Sequence, residues 1–339
     1  MNLTKAFLFV LGAVVLIYLD FAPVEYLTFA VVLCYYLLLA VGWNIVGGVT
    51  YLASFAQAAF ATLAAYISAM FVTYTGSVVP VGMAVGIIAV IAISYGLGYI
   101  TLRMGGAYLA LATIAFSESV RVWLTVNESL TGGAAGYFPA PLIPGGTPAE
   151  YCYLFVGVTI TSIYFTYRLL KSKRGVLMKA VGNDEEAASA LGVNVRAIRL
   201  FAFTLSGLFA AIGGVLFAHY LQVIVPADGS LMEQATIMAG PIVGGLGTIF
   251  GPVIGTLIII GARDIIRTYL GPYDVLFFGI IMIVSMKFAR NGIVGMLTSP
   301  RVRSFGRRVL SRTGEPFRKR TSATNEFERR SEFTQQKGN

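Results

Sequence analysis

From Tyr26 to Leu102 the chain runs for 77 residues without an Asp, Glu, Lys or Arg. A helix needs about 20 apolar residues to cross a bilayer, so this stretch alone predicts three crossings. Hydropathy places spans at about 6–20, 26–46, 51–74, 78–102, 105–126, 151–168, 200–222 and 273–290. The stretch 232–262 is too long for one ordinary span. Pro241, Gly244, Gly245, Gly247, Gly251 and Pro252 interrupt it, so it reads as two short segments divided near Thr248. The sum is an all-α polytopic membrane protein of about ten transmembrane segments with Gly/Pro-broken helices.

Basic residues orient these segments, because Lys and Arg accumulate in cytoplasmic loops. Lys5, Arg103, the loop 168–199 with seven basic and three acidic residues, Lys287 and Arg290 fall on one side. Both termini are then expected to be cytoplasmic. A loop without basic residues, Asn127–Glu150, falls outside, as do Arg263 and Arg267, with Asp264 and Asp274 near enough in sequence to pair with them. A single tilted span at 232–262 would give nine segments and an external basic tail, against the charge rule.

Composition agrees: 57% of residues are apolar, 12% are charged, and mean hydropathy is +0.77. Soluble domains carry about 25% charged residues, so a soluble enzyme, a disordered chain and a disulfide scaffold are all excluded. Of the net charge of +9, +7 lies between Pro300 and Asn339 (eleven Lys/Arg, four Glu). This divides the chain into a transmembrane domain, 1–298, and a basic tail, 299–339, expected to be a disordered cytoplasmic end held near anionic lipid headgroups. Nucleic acid is not an expected partner, since the tail has no folded aromatic pattern. Lys5 followed by the apolar run Ala6–Leu19, with no small-x-small cleavage site in 20–25, reads as an uncleaved signal anchor. Cys34 and Cys152 have no ligand spacing and read as small apolar fillers.

Two segments resemble each other at an offset of 197: Asn44-Ile-Val-Gly-Gly-Val-Thr-Tyr51 and Pro241-Ile-Val-Gly-Gly-Leu-Gly-Thr248. Each sits where one apolar segment gives way to the next. Glycine in an apolar helix permits close backbone approach, and Gly-broken segments in matching positions of two halves mark a transport pathway. The candidates are Asn44, Gly47, Gly48, Gln57, Gly244 and Gly245. Packing glycines are the alternative, and the sense of the repeat, parallel or inverted, stays open.

Buried charge is sparse. Glu118 and Arg121 share a helix face at i and i+3, about 20 Å from the inner end of their span at about 1.5 Å per residue. They are either a pathway element or a structural ion pair near the outer interface. His219 has no partner in the sequence and is expected to make a structural hydrogen bond. No metal or nucleophile constellation is visible, no cofactor is expected on this chain, and no P-loop occurs. The chain is therefore not read as an enzyme, and any ATP that drives transport belongs to another chain.

Within the charged loop, Asp184 is a plausible N-cap. Glu185 and Glu186 favour a first turn by charge–dipole attraction, Ala187 and Ala188 extend it, and Gly192 can stop it. A short capped surface helix between two spans suits a docking element, or an ordered connector.

Four blocks together resemble a known family: Gly42–Gly48 through Ser54, Ala58–Phe60 and Ala65-Tyr66; Arg103–Phe116 with Glu118, Arg121, Leu130–Gly133 and Gly136; Ala180–Gly192 with Ala202-Phe203 and Ala218–Tyr220; and Gly244–Gly255 with Arg290–Ile293. The chain is similar, over about 40–297, to the LivM-type permease subunits of ATP-binding-cassette importers for branched-chain amino acids. The resemblance implies an importer-permease fold in the plasma (inner) membrane. It implies ATP-binding subunits carrying ATP and Mg, a second permease subunit of LivH type, and an extracytoplasmic solute-binding protein. Asp184, Glu185, Glu186, Ala187, Ala188 and Gly192 then correspond to the loop that docks on the ATPase, without the usual Ile-x-Leu-Pro ending. Gln57 stands where the family usually has His. Urea and amide importers share this architecture. A secondary transporter driven by H⁺ or Na⁺ is the alternative; the repeat fits it, and the scarcity of buried carboxylates does not.

Overall fold

The computed structural model describes residues 23–103, 106–270 and 279. The expected spans 6–20 and 273–290, Asp274, both termini and the tail 299–339 lie outside the described residues.

Helix α1 (Val24–Trp43) continues into a π-helical turn, Asn44–Val49. The expected span 51–74 needs correction: residues 50–56 are not helical, and α2 (Gln57–Thr75) begins only at Gln57. The unwound leg runs back alongside the helix it has left. Leu52 N–H donates to the Val46 carbonyl (3.0 Å), Trp43 Nε1 donates to the Ser54 carbonyl (2.8 Å), and Gln57 Nε2 reaches the Leu39 carbonyl (3.3 Å).

A short link leads to α3 (Val79–Thr101). Its buried residues Gly82, Gly86, Val90, Ser94 and Gly98 recur at i+4, one narrow stripe down one face. Small side chains there let backbones approach. Gly86 lies against the Ala64 carbonyl and Ser68 of α2, and Gly98 against Phe203. The remainder of α3 is largely uncovered, as is much of α4 (Gly106–Val126). The connection 127–147 holds α5 (Glu128–Thr131) and a 3₁₀ turn, then pairs Tyr137 with Ile224 in an isolated bridge.

Helix α6 (Pro148–Lys171) opens on a capping box: Thr147 Oγ1 accepts from Glu150 N–H, and Glu150 accepts from Thr147 N–H. The charged connection is more ordered than the sequence suggested. It folds as α7 (Lys173–Asn183) and the six-residue α8 (Glu185–Ala190), which lies between the expected cap Asp184 and the expected stop Gly192. Ser172 caps α7, and Met178 and Val181 anchor it from one face. Helix α9 (Val195–Leu221) is capped by Asn194. A 3₁₀ turn at Pro226–Gly229 leads to α10 (Leu231–Gly244), capped by Ser230, and α11 (Phe250–Leu270) follows. The break expected near Thr248 falls at 245–249.

Among the described residues, six helices are long and apolar enough to cross a membrane: α1 with its π turn, α2, α3, α4, α6 and α9. The core forms where α1, α2 and α9 meet. Tyr35 stacks on Phe217 (centroids 4.0 Å apart), Phe60 meets Phe203 edge-on, and Gly213 admits Leu39.

Candidate functional site

The two matching segments meet. Helices α1 and α10 run in the same sense, since Tyr36 bonds Glu233 near one end of the pair and Asn44 bonds residues 247–248 near the other. Buried Asn44 spans both partners: its Nδ2 donates to the Thr248 carbonyl (2.9 Å) and its Oδ1 accepts from Gly247 N–H (3.0 Å). Gly48 faces the amide of Gly247, Gly47 lies under the Trp43 indole, and Gly244 abuts the Gly251 carbonyl. Gly245 caps α10 at φ +128°. Asn44, Gly47, Gly48, Gly244 and Gly245 thus form one cluster around two adjacent helix breaks, a π turn and a glycine turn. Both kinds of irregularity concentrate at functional sites.

The unwound leg is held by side chains. Phe55 N–H donates to Thr113 Oγ1 (3.0 Å) and its carbonyl accepts from Ser117 Oγ (2.8 Å), so two hydroxyls of α4 satisfy both polar groups of one residue. Gln234 of α10 accepts from Ala58 N–H (2.9 Å) and reaches the Ser54 carbonyl. Gln57 bonds Ser206 of α9 through hydroxyl and carbonyl as well as Leu39. Non-helical backbone at membrane depth is tolerated only where protein or a cavity satisfies it. Gln57 therefore belongs to the leg, bonded to Leu39 and Ser206 rather than to Asn44.

Glu118 and Arg121 pair with each other (2.7 Å) and stay about one-third exposed on the flank of α4, out of contact with Asn44. His219 makes the expected structural bonds: Nδ1 donates to the Ala140 carbonyl (2.6 Å) and Nε2 accepts from Ser68 (2.9 Å). Cys34 and Cys152 are buried and free.

The capped element folds as its residues require. Asp184 accepts from Ala187 N–H (2.9 Å), Glu185 pairs with Arg199 (2.7 Å), and Ala188 is buried. Glu186 stays exposed. Gly192 at φ +81° ends the turn, with Val193 N–H bonded back to the Ala188 carbonyl. Leu191 is left 85% exposed. The preceding helix rests on the break, because Gly182 lies against the Val49 carbonyl, Thr50 and the Tyr51 ring.

A second feature was not legible in the sequence. At the opposite end of α1 a cleft of about 750 Å³ opens between α1, α9, α10 and α11. Tyr36 Oη donates to Glu233 (2.6 Å), and Arg263 of α11 pairs with Glu233 at 3.5 Å. Arg263 thus meets a carboxylate on α10, in addition to the Asp264 and Asp274 that the sequence offered; Asp274 lies outside the described residues. Asp228 lines the same cleft. Its residue surface is open to the cleft while the surrounding walls desolvate it, so burial pushes its carboxyl up to about 6; the Val225 N–H opposes this shift and Glu233 adds to it.

Comparison with known proteins gives a consistent family. Residues 26–286 match the family described as branched-chain amino acid transport system / permease component. The high-affinity branched-chain amino acid transport system permease protein LivM of Escherichia coli K12 is 28% identical over 79% of this chain and 69% of its own length. A probable branched-chain amino acid transport permease protein LivH of Methanocaldococcus jannaschii is 29% identical over 76% of this chain and 88% of its own. The autoinducer 2 import system permease protein LsrC of Yersinia enterocolitica is 27% identical over 52% of each chain. No solved structure matches significantly.

Proposed function

The chain belongs to the branched-chain amino acid transport system permease family, and from that premise we propose that it is one membrane subunit of an ATP-binding-cassette importer for branched-chain amino acids. ATP and Mg reside on separate ATP-binding subunits. A second permease of LivH type completes the pathway, and a solute-binding protein delivers the amino acid from outside. Ten segments cross the inner membrane: the six long helices, α10, α11 and the apolar runs at 6–20 and 273–290. Both termini and α7–α8 are cytoplasmic, and residues 299–339 form a separate basic tail.

The observation that carries this reading is the seat of Gly182 on the Val49–Tyr51 backbone. Asp184, Glu185, Glu186, Ala187 and Ala188, stopped by Gly192, present exposed Leu191 to an ATPase subunit. Force on this element passes through α7 to the π turn, and from Gly48 to Gly247. ATP binding needs only to favour one arrangement of these two breaks over the other to alternate access. A rigid joint that is bistable suits this better than a smoothly bending helix. Glu118 and Arg121, on the open flank of α4, line the pathway or face the second permease, where an ionisable pair is shielded from lipid.

The test is gentle solubilisation of the tagged chain from its native membrane. A stoichiometric ATP-binding subunit and a second permease should co-purify, and the reconstituted complex should import leucine only with ATP and its solute-binding protein. A homo-oligomer without an ATPase, in a detergent that preserves such complexes, would overturn the reading in favour of ion-gradient transport.

A further inference from the structure

Where α3 ends and α9 begins, two arginines converge on one aromatic ring. Arg103, just past the last turn of α3, holds its guanidinium carbon 4.9 Å from the centre of the Tyr99 ring. Arg196, in the first turn of α9, holds its own 4.5 Å from the same centre. Arg196 Nη2 also donates to the Tyr99 carbonyl (2.9 Å), so the arginine of α9 reaches across to the end of α3. Tyr99 is half-exposed and stacks on Tyr95, one turn earlier, with ring centroids 6.4 Å apart.

This concentration of positive charge has no anion of its own. Among the described residues the ion pairs engage Arg121, Arg199 and Arg263, and no carboxylate pairs with Arg103 or Arg196. The first turn of α9 contains no acidic residue, so the positive end of its helix dipole adds to Arg196. The ring contact fixes the guanidinium groups. Of the five N–H donors of Arg196, the Tyr99 carbonyl takes one. Two forks held together in this way match a phosphate, which accepts from each in pairs.

The surface that leads to the pair is apolar. Ile88, Ala92, Tyr95 and Tyr99 are exposed and recur at helical spacing, on the side of α3 away from its buried glycine stripe. They form a track that runs from within the span to the two charges. A phosphate joined to a hydrocarbon chain satisfies both halves of this surface. A zwitterionic headgroup does so poorly, because its ammonium would be brought up to two guanidiniums.

We propose that Arg103 and Arg196 form a binding site for one anionic phospholipid, its phosphodiester at the two guanidiniums beside Tyr99 and an acyl chain laid along Tyr95, Ala92 and Ile88. The lipid belongs to the leaflet on the side of α7–α8, and it joins the end of α3 to the start of α9. The site goes beyond the importer reading and depends only on the chain's crossing the membrane.

The test uses the full chain with the subunits that co-purify with it, in nanodiscs of equal parts phosphatidylcholine and phosphatidylglycerol. A trace of one lipid or the other carries a photoreactive diazirine in its acyl chain, and adducts are mapped by mass spectrometry of peptides. Phosphatidylglycerol should label residues 88–102 about tenfold more than phosphatidylcholine, as charge-assisted hydrogen bonds to a net anion imply. Arg103→Gln, at an exposed position beyond the helix, should bring that labelling down to near the phosphatidylcholine level. Arg196→Gln should do the same, and where loss of its bond to Tyr99 prevents assembly, Arg103→Gln alone decides. Unlabelled phosphatidylglycerol should compete, and inorganic phosphate should not. Equal labelling by the two lipids, or labelling unchanged in Arg103→Gln, overturns the site. Displacement by inorganic phosphate overturns it in favour of a soluble anion. Loss of a co-purifying subunit from Arg103→Gln with lipid labelling intact overturns it in favour of an acidic protein surface.

Discussion

Gly48 and Gly247 meet backbone to backbone across the two helix breaks: a Cβ on Gly48 would lie 2.5 Å from the Gly247 nitrogen, and one on Gly247 2.7 Å from the Gly48 carbonyl. Neither atom is the movable end of a side chain, so a methyl group at either position must separate the breaks. Gly247→Ala carries the added strain of φ +70°. Overpacking of this kind costs about 1–3 kcal/mol. Both Gly48→Ala and Gly247→Ala should abolish amino-acid import in reconstituted vesicles. Import at half the normal rate or better in either variant would show that the breaks can part freely.

Gly182 predicts a separation of hydrolysis from transport. A side chain there meets the Val49 carbonyl and pushes α7 off the π turn while leaving α8 intact. Gly182→Val should assemble with the ATPase and hydrolyse ATP, yet import less than a tenth of the normal amount. The complementary change is Leu191→Asp, at an exposed position that supports no core contact. It should leave the thermal stability of the isolated chain unchanged and remove the ATPase from co-purification.

Thr113 and Ser117 predict a defect in folding stability. Removing either hydroxyl leaves a polar group of Phe55 unsatisfied inside the protein, a loss of about 1–3 kcal/mol. Thr113→Val keeps the shape and deletes the acceptor for Phe55 N–H; Ser117→Ala deletes the donor to its carbonyl. Each should lower the melting temperature of the detergent-solubilised complex. The double variant should fall short of the sum, since both act on one residue.

Asp228 gives a pH dependence whose sign is fixed by its raised carboxyl. The folded state binds this proton more tightly than the unfolded chain, so its contribution to stability is complete below the ordinary value of 3.8. It is lost as pH rises through about 6. Glu233 faces it across the cleft and reinforces the effect. The wild-type melting temperature should decline between pH 4 and 7 by more than that of Asp228→Asn, and equal slopes would refute the assignment.

The charge-free run, the split near Thr248 and the kinship of Asn44–Tyr51 with Pro241–Thr248 were legible because they are local in the sequence. The unwound leg was not. Tyr51-Leu-Ala-Ser-Phe-Ala56 is as apolar as any span, and what unwinds it are groups far along the chain: Thr113, Ser117 and Gln234. Proximity in sequence offers Asp264 and Asp274 to Arg263 and Arg267; adjacent residues on a helix point about 100° apart, and the carboxylate of Glu233 reaches Arg263 from another helix. Helix α7 was read as part of a loop because its basic residues mask a small buried face, Met178 and Val181.

The unwound leg also constrains how the protein is made. A translocon meets residues 50–56 long before their partners exist: Thr113 and Ser117 follow Phe55 by 58 and 62 residues, and Gln234 follows Ser54 by 180. At about 5–20 residues per second, the last partner emerges roughly ten to forty seconds after the leg. Leu52 N–H and the Ser54 carbonyl have local partners in Val46 and Trp43, but the polar groups of Phe55 and the N–H of Ala58 do not until their distant partners arrive, so the nascent chain must wait as an ordinary helix or at the protein-lined margin of the insertion machinery. The break is a late event of biogenesis, installed when α10 arrives.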